Sequence, residues 1–251
     1  MKPAAGRNTQ HREYCAKEGY PEIVHFLFHR RKIARNTQSA KLKCLSLPTD
    51  METNGYRIIL GSASPRRKAL LGAIEVPFTI DTGNTFEESV PEGTPYEQVP
   101  VMMSEGKSLG FHRPLESDEI LITADTMVIL PPEGGREGEI LGKPRDREDA
   151  ARMLRDLSGR MHHVVTAVTL RSATRMETFT DKTEVWFKRL TDAEIYHYID
   201  VYKPFDKAGS YGAQDWIGCV GMVRIDGSYF NVMGLPVHRL YEELERFVAG
   251  D

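Results

Sequence analysis

Gly61-Ser62-Ala63-Ser64-Pro65-Arg66-Arg67-Lys68-Ala69-Leu70-Leu71 is the stretch from which the fold of this chain is read. The run before it, Tyr56-Arg57-Ile58-Ile59-Leu60, is short, apolar and β-branched, and predicts a strand. The residues after it, Ala69, Leu70, Leu71 and Ala73, favour helix. Gly61 permits a tight turn. Ser64 is a good N-cap, and Pro65 stands where the first helical residue belongs. A strand therefore runs through a small-residue loop into a helix start. That start offers backbone N–H groups and the positive end of a helix dipole, and both suit an anion. Arg66 and Arg67 add two fixed positive charges in the first turn. The arrangement reads as a phosphate cradle. Ser-Pro-Arg-Arg also suits a basic tail that grips DNA backbone. Such tails lack a strand before and an apolar helix after, and here both are present.

Length and composition bound what the cradle can belong to. The chain has 251 residues, room for one large domain or two small ones. No apolar run approaches a membrane span. The net charge of −3 gives no global basic field to collect nucleic acid. The charge is uneven, however. Residues 1–50 hold ten Lys/Arg against four Asp/Glu, a net of +6, which leaves −9 on residues 51–251. An acidic body that handles polyanions needs a local basic pocket, with or without a metal. Cys15, Cys44 and Cys219 have no CxxC spacing, and so sparse a set fits a reducing, cytoplasmic compartment.

Residues 1–50 read as a basic N-terminal extension, poorly ordered or a leader, with the folded domain spanning 51–251. Targeting of 1–50 to a mitochondrion or another organelle is the alternative.

From Tyr56 the chain alternates between strand and helix. Val76–Ile80 is a second short strand, and 81–95 is a loop carrying Glu87-Glu88. Pro95 to Gly110 is helical by composition and carries Lys107. Glu119-Ile120-Leu121-Ile122-Thr123-Ala124 is the kind of strand buried on both faces. Asp125 ends it, with 127–130 continuing extended. A short strand, Glu139–Leu141, leads to Gly142-Lys143-Pro144. Asp146 to Leu157 is amphipathic helix, stopped by Ser158-Gly159. Long strands near 161–171 and 176–188 form an antiparallel pair. Thr191 and Glu194 make a capping box for a helix to Tyr202. A Gly- and Lys-bearing loop fills 203–215, strands are expected near 216–226, and Pro236 opens the last helix. The expectation is α/β with a mixed sheet.

Several side chains could carry chemistry on such a scaffold. Asp125, at the carboxyl end of a buried strand, is a candidate metal ligand or general base. Glu87 or Glu88 could bring a second carboxylate to the same cation. Mg²⁺ typically takes one or two carboxylates plus substrate phosphate oxygens. Lys143 and Lys207 sit in tight glycine-bearing loops. Together with Arg66, Arg67 and Lys107 they supply the positive charge that a triphosphate needs. The Gln214 amide can donate and accept, which suits the edge of a base. His162-His163 opens a strand and reads as structural. Cys219, expected in a strand, has no catalytic histidine near it in sequence.

Taken together these motifs resemble the Maf family of nucleoside triphosphate pyrophosphatases. Ser62-Ala63-Ser64-Pro65-Arg66-Arg67 matches its opening signature. Ala124-Asp125-Thr126, Leu141-Gly142-Lys143-Pro144 and Leu157-Ser158-Gly159-Arg160 follow in order. Asp206-Lys207-Ala208-Gly209-Ser210-Tyr211-Gly212-Ala213-Gln214, Gly227-Ser228-Tyr229 and Gly234-Leu235-Pro236 complete the pattern. Residues 1–50 have no counterpart in it. The resemblance implies a mixed, twisted sheet with flanking helices, and two lobes around a nucleotide-binding cleft. It implies cleavage between the α and β phosphates, dependent on a divalent metal, Mg²⁺ or Mn²⁺. The products are a nucleoside monophosphate and pyrophosphate.

The resemblance also assigns roles. Asp125 matches the family's catalytic aspartate, and Ser62, Arg66 and Arg67 its phosphate-binding residues, with Ser64 at the helix start a further substrate-binding candidate. Glu88, or Glu87 one residue earlier, matches the loop glutamate that would hold the metal with Asp125. The family lysines fall on Lys107 and Lys143, the former in Glu105-Gly106-Lys107-Ser108 where the family usually has Glu-Lys-Ala. Lys207 falls among the substrate contacts. Arg66, Thr126 and Gln214 look like the determinants of the branch acting on dTTP and UTP. The 7-methyl-GTP branch and a non-catalytic regulator of septum formation are the rivals. No membrane or nucleic-acid partner is expected beyond the nucleotide, and a homodimer is left open.

Overall fold

The computed structural model describes residues 53–135 and 138–250. The extension expected over 1–50, and the domain start expected at Met51, lie outside the described residues. The fold is organised by β3 (Glu119–Leu130), a strand of twelve residues. One edge of β3 pairs antiparallel with β5 (Met161–Arg171) over 121–129. The other edge is shared. β1 (Arg57–Leu60) runs parallel to 119–122, and β4 (Glu139–Leu141) runs antiparallel to 128–130. Among the described residues, no strand pairs with 123–127 on that edge. β2 (Phe78–Ile80) extends the parallel side next to β1. β6 (Met176–Phe187) and β7 (Met222–Asp226) extend the antiparallel side. The sheet is seven-stranded, in the order β2-β1-β3-β5-β6-β7 with β4 beside β3. This is the mixed α/β sheet that the sequence predicts.

Local signals set the helices. α1 (Pro65–Ala73) begins at Ser64, whose hydroxyl accepts from the Arg67 N–H. α2 (Val99–Leu109) follows a short 3₁₀ turn at Tyr96–Gln98, so the helix expected over 95–110 is divided at its start. α3 (Arg147–Leu157) is capped by Asp146, and α4 (Asp192–Tyr202) by the expected Thr191–Glu194 box. The Lys188 ammonium and the cap hold the Glu194 carboxyl down at about 2. A cap of this kind contributes about 1 kcal/mol. The last helix, α7 (Val237–Ala249), buries Val237, Leu240, Leu244 and Phe247, the face its spacing predicts.

Alternate residues of β3 face the same side. On one face Ile120, Ile122 and Ala124 pack with Leu70, Leu71, Leu240 and Leu244. Further along that face Val128 and Leu130 pack with Leu154, Leu157, Val185 and Tyr198. Each fully buried leucine contributes roughly 1.5–3 kcal/mol. Between the two apolar cores lies Thr126, in register with Thr166 of β5, which is in turn in register with Asp181 of β6. The Thr126 and Thr166 hydroxyls are 3.0 Å apart. The two apolar cores therefore meet at a polar seam beside the open part of β3.

Two local expectations change, and one short helix is added. Asp125 does not end its strand: β5 pairs with β3 through Ile129, so Asp125 is internal. It does lie just past the end of the neighbouring β1, whose last residue pairs with Ile122. The strand expected from 216 is helix α5 (Trp216–Gly221), which turns Ile217 inward and leaves Cys219 exposed; β7 begins only at Met222. A further short helix, α6 (Tyr229–Met233), is capped by Ser228, which accepts from the Asn231 N–H. Its five residues are too few to show a helical period. No helix among the described residues is long and apolar enough to cross a membrane.

Candidate active site

The open edge of β3 is where the predicted residues gather. The last rung from the parallel side is Gly61 N–H to the Ile122 carbonyl, 2.8 Å. A Cβ at Gly61 would come within 3.0 Å of the Leu121 and Thr123 side chains, so glycine is what fits here without a shift of those side chains. The next carbonyl along that edge, Ala124 O, accepts from Arg67 Nη1 at 2.8 Å. The same guanidinium donates to Gly234 O (2.9 Å), Thr126 Oγ1 (3.1 Å) and Ser62 Oγ (3.4 Å). Arg67 thus ties the start of α1 to β3 and to the turn before α7. Burial presses its guanidinium below the ordinary arginine value, and the Asp125 charge opposes that shift.

Helix α2 covers the opposite face of β3. Ser104 and Thr123 exchange hydrogen bonds, hydroxyl to carbonyl in both directions, at 3.2 and 2.8 Å. One turn on from Ser104 is Lys107, and two residues on from Thr123 is Asp125. Helical and strand periods therefore bring these two side chains face to face. Lys107 Nζ is 2.5 Å from Asp125 Oδ1 and 2.8 Å from Glu88 Oε1. Asp125 is largely buried, whereas Glu88 is 62% exposed on its loop. The hydrogen bond from Lys107 holds the Glu88 carboxyl below the usual carboxylate range, and the charges of Lys143 and Arg67 add to it. Lys143 is itself exposed. Of the two glutamates, Glu88 reaches Lys107, and Glu87 is exposed.

The 206–215 loop closes on the same helix start. Arg66 Nη1 donates to Asp206 Oδ2 at 2.9 Å, and Lys207 Nζ to Asp206 Oδ1 at 2.8 Å. Burial favours the neutral form of Asp206, but these two cations outweigh it and keep its carboxyl low. Lys207 also lies 3.8 Å from Asp215, which accepts a 2.7 Å hydrogen bond from the buried Tyr198 hydroxyl. That hydroxyl accepts in turn from Gly212 N–H at 3.1 Å. Gly209 N–H donates to Gly142 O, joining this loop to the one carrying Lys143. Gln214 is 6% exposed, and its amide oxygen has no hydrogen-bond partner among the described residues.

The predicted residues therefore fall into two joined groups. Ser62, Ser64, Arg67, Lys107, Asp125, Thr126 and Glu88 surround the open edge, Lys207 and Gln214 belong to the loop that Arg66 of α1 holds through Asp206, and Lys143 is exposed on its own loop. Thr126 is engaged by Arg67 and Thr166. Sequence reasoning missed Asp206, Asp215 and Tyr198. Of these only Asp206 carried a signal, its place beside Lys207.

The donor set suits a hard divalent cation. Asp125 and Glu88 already share one positive group, the Lys107 ammonium. Among the described residues no three His, Cys, Asp or Glu side chains converge. Two carboxylates completed by phosphate oxygens is a typical Mg²⁺ arrangement.

The chain is similar to known proteins over most of its length. The Maf-like protein family matches residues 57–247. A dTTP/UTP pyrophosphatase of Phocaeicola vulgatus is 46% identical over 191 residues, covering 76% of this chain and 96% of the relative. The dTTP/UTP pyrophosphatase of Porphyromonas gingivalis is 46% identical over 194 residues, covering 76% and 94%. That of Bacteroides fragilis is 44% identical over 191 residues, covering 76% and 96%. With its cradle and its lysine-bridged carboxylates inside this match, the chain belongs to the Maf-like protein family.

Proposed function

We propose that this protein hydrolyses nucleoside triphosphates to the monophosphate and pyrophosphate, with dTTP and UTP as leading substrates. The observation that carries this reading is Lys107 held between Asp125 and Glu88 at the rim of a cradle built by Arg67. The names of the similar proteins support the same chemistry and substrates.

The roles follow from the geometry. The start of α1, with Ser62, Ser64 and Arg66, receives the phosphate chain; Arg67 fixes that start against β3. Lys107 and Lys143 offset charge developing on the leaving pyrophosphate. Asp125 orients the attacking water and takes its proton. Asp125 and Glu88 would hold Mg²⁺ or Mn²⁺, which when bound supplies Lewis-acid polarisation of a phosphate oxygen. Positioning and charge stabilisation together account for most catalysis in phosphoryl chemistry.

A nucleotide-binding regulator without turnover would have little use for two carboxylates beside phosphates, since they repel the ligand. Pyrophosphate release by the purified protein, assayed with dTTP, UTP, CTP, GTP and 7-methyl-GTP, decides between these readings. Release with dTTP and UTP in the lead is expected. Binding without release from any nucleotide overturns the enzyme reading.

A further inference from the structure

We infer that Phe86, seated in a notch left by Gly106 and Gly110, is the positioning residue that sets Glu88 against Lys107; this rests on the active-site reading above. A Cβ on Gly106 would lie 2.3 Å from Cε2 and Cζ of the Phe86 ring. A Cβ on Gly110 would lie 2.7 Å from Phe86 Cβ and 2.8 Å from its backbone N. Neither glycine has a positive φ, so backbone conformation does not require either one. A glycine inside a helix is unfavourable relative to alanine. At Gly106 close approach of the phenyl ring is what this cost obtains.

The rest of the segment is sewn to the same end of α2. Thr85 N–H donates to Gly110 O at 2.8 Å. The Asn84 amide donates to Lys107 O, and its oxygen accepts from Phe86 N–H at 2.7 Å. Asn84 also bridges to Phe111, and His112 N–H reaches Gly83 O at 3.2 Å. Residues 89–93, on the far side of Glu88, are all exposed. Glu88 is therefore located from one side. The ring rests on Gly106, and two residues later the carboxylate meets Lys107, the next residue of α2.

The test follows acetylation of Lys107 by a pulse of acetic anhydride, read by mass spectrometry, alongside pyrophosphate release. Glu88→Gln removes one of the two carboxylates on Lys107 and should raise its labelling several-fold. Gly106→Ala should reproduce most of that rise, and the double variant should label no faster than Glu88→Gln alone. In kcat/KM the Gly106→Ala loss should likewise vanish in the Glu88→Gln background. Phe86→Ala, which removes the ring without touching α2, should label as Gly106→Ala does, and Gly106→Ala with Phe86→Leu should regain at least half of the wild-type protection. Wild-type labelling in both Gly106→Ala and Phe86→Ala, or additive effects with Glu88→Gln, overturns the inference. If the labelling pattern holds but the wild-type protein releases no pyrophosphate, the functional reading fails and the positioning stands.

Discussion

Lys107 Nζ lies 2.5 Å from Asp125 Oδ1, a contact that joins helix α2 to the open stretch of β3. A strand lying alongside 123–127 would have covered this part of the sheet. Instead Arg67 takes the Ala124 carbonyl, just past the end of β1. The gap in strand pairing and the convergence of charge are thus one feature: β1 stops at Leu60 to become the cradle, and β3 continues past it carrying Asp125.

Asp125→Asn is isosteric and retains an acceptor for Lys107, so the fold should survive. Turnover should fall by about 10²–10⁴-fold, the range for a lost general base. Pyrophosphate release measured on a variant with wild-type circular dichroism checks this. A folded Asp125→Asn protein with near-native kcat removes Asp125 from the mechanism.

Arg67→Lys replaces a fork with a point charge. Arg67 serves four acceptors in three segments, and a lysine cannot reach them all. Each buried acceptor left without a donor costs about 1–3 kcal/mol, and a domain of this size loses roughly 2–4 °C of Tm per kcal/mol. Arg67→Lys should therefore lower Tm by several degrees as well as weaken substrate binding. Arg66→Lys is the control, since its partner Asp206 is 59% exposed, and an exposed pair contributes about 0–1 kcal/mol. Equal Tm values for Arg67→Lys and the wild type would show that the guanidinium is not a strut.

Much of this was legible in the sequence because the signals are local. The Ser64 cap, the Thr191–Glu194 box and the apolar stripe of α7 each lie within a few residues, and each forms as read. Asp125 was found from the apolar run before it, although its position within β3 depends on β5, some forty residues away in sequence, continuing the ladder. Helix α5 escaped because two glycines and a cysteine among its six residues obscure any period. Tyr198 and Asp215 could not be read as a pair, since seventeen residues and a loop separate them and only tertiary packing joins them. The Gly106 departure was visible in sequence, but its reason, the Phe86 ring, lies twenty residues upstream.

His162 predicts a pH dependence of stability. Its ring is fully buried between Phe187 and Tyr211, with Nε2 2.8 Å from the Tyr211 hydroxyl, and burial pushes it down to about 3. In the unfolded chain histidine titrates near about 6.5. The folded value is the lower, so between these values the unfolded chain binds the extra proton. Stability from this group is complete above about pH 6.5 and is lost as pH falls toward 3, by about 1.4 kcal/mol per pH unit. His162→Gln keeps a partner for Tyr211 and does not titrate. Between pH 6.5 and 5 its unfolding free energy in denaturant should fall by about 1.6 kcal/mol less than that of the wild type. Parallel profiles for the two proteins would place the acid sensitivity elsewhere.

Substrate choice is expected to turn on Gln214. A pocket that reads uracil or thymine must satisfy O2, N3–H and O4. The buried Gln214 amide oxygen, with no partner in the described protein, can accept from N3–H while its NH₂ donates to a neighbouring carbonyl. Thr126 is committed to Arg67 and Thr166, so the base-reading weight falls on the amide. Cytosine presents an acceptor at N3 and a donor at C4, which reverses both contacts. Each buried group left unpaired costs about 1–3 kcal/mol, and two mismatches amount to roughly a hundredfold in kcat/KM. Thymine differs from uracil by one methyl group, so dTTP and UTP should both be accepted, with CTP and the purine triphosphates well behind. Gln214→Ala should narrow the gap between UTP and CTP by at least about tenfold, one unpaired group's worth, while lowering turnover on UTP less. A panel in which GTP or 7-methyl-GTP leads would assign the base pocket to another branch of the family and leave the cleavage chemistry in place. A Gln214→Ala variant that keeps the full preference for UTP over CTP would show that the amide does not read the base.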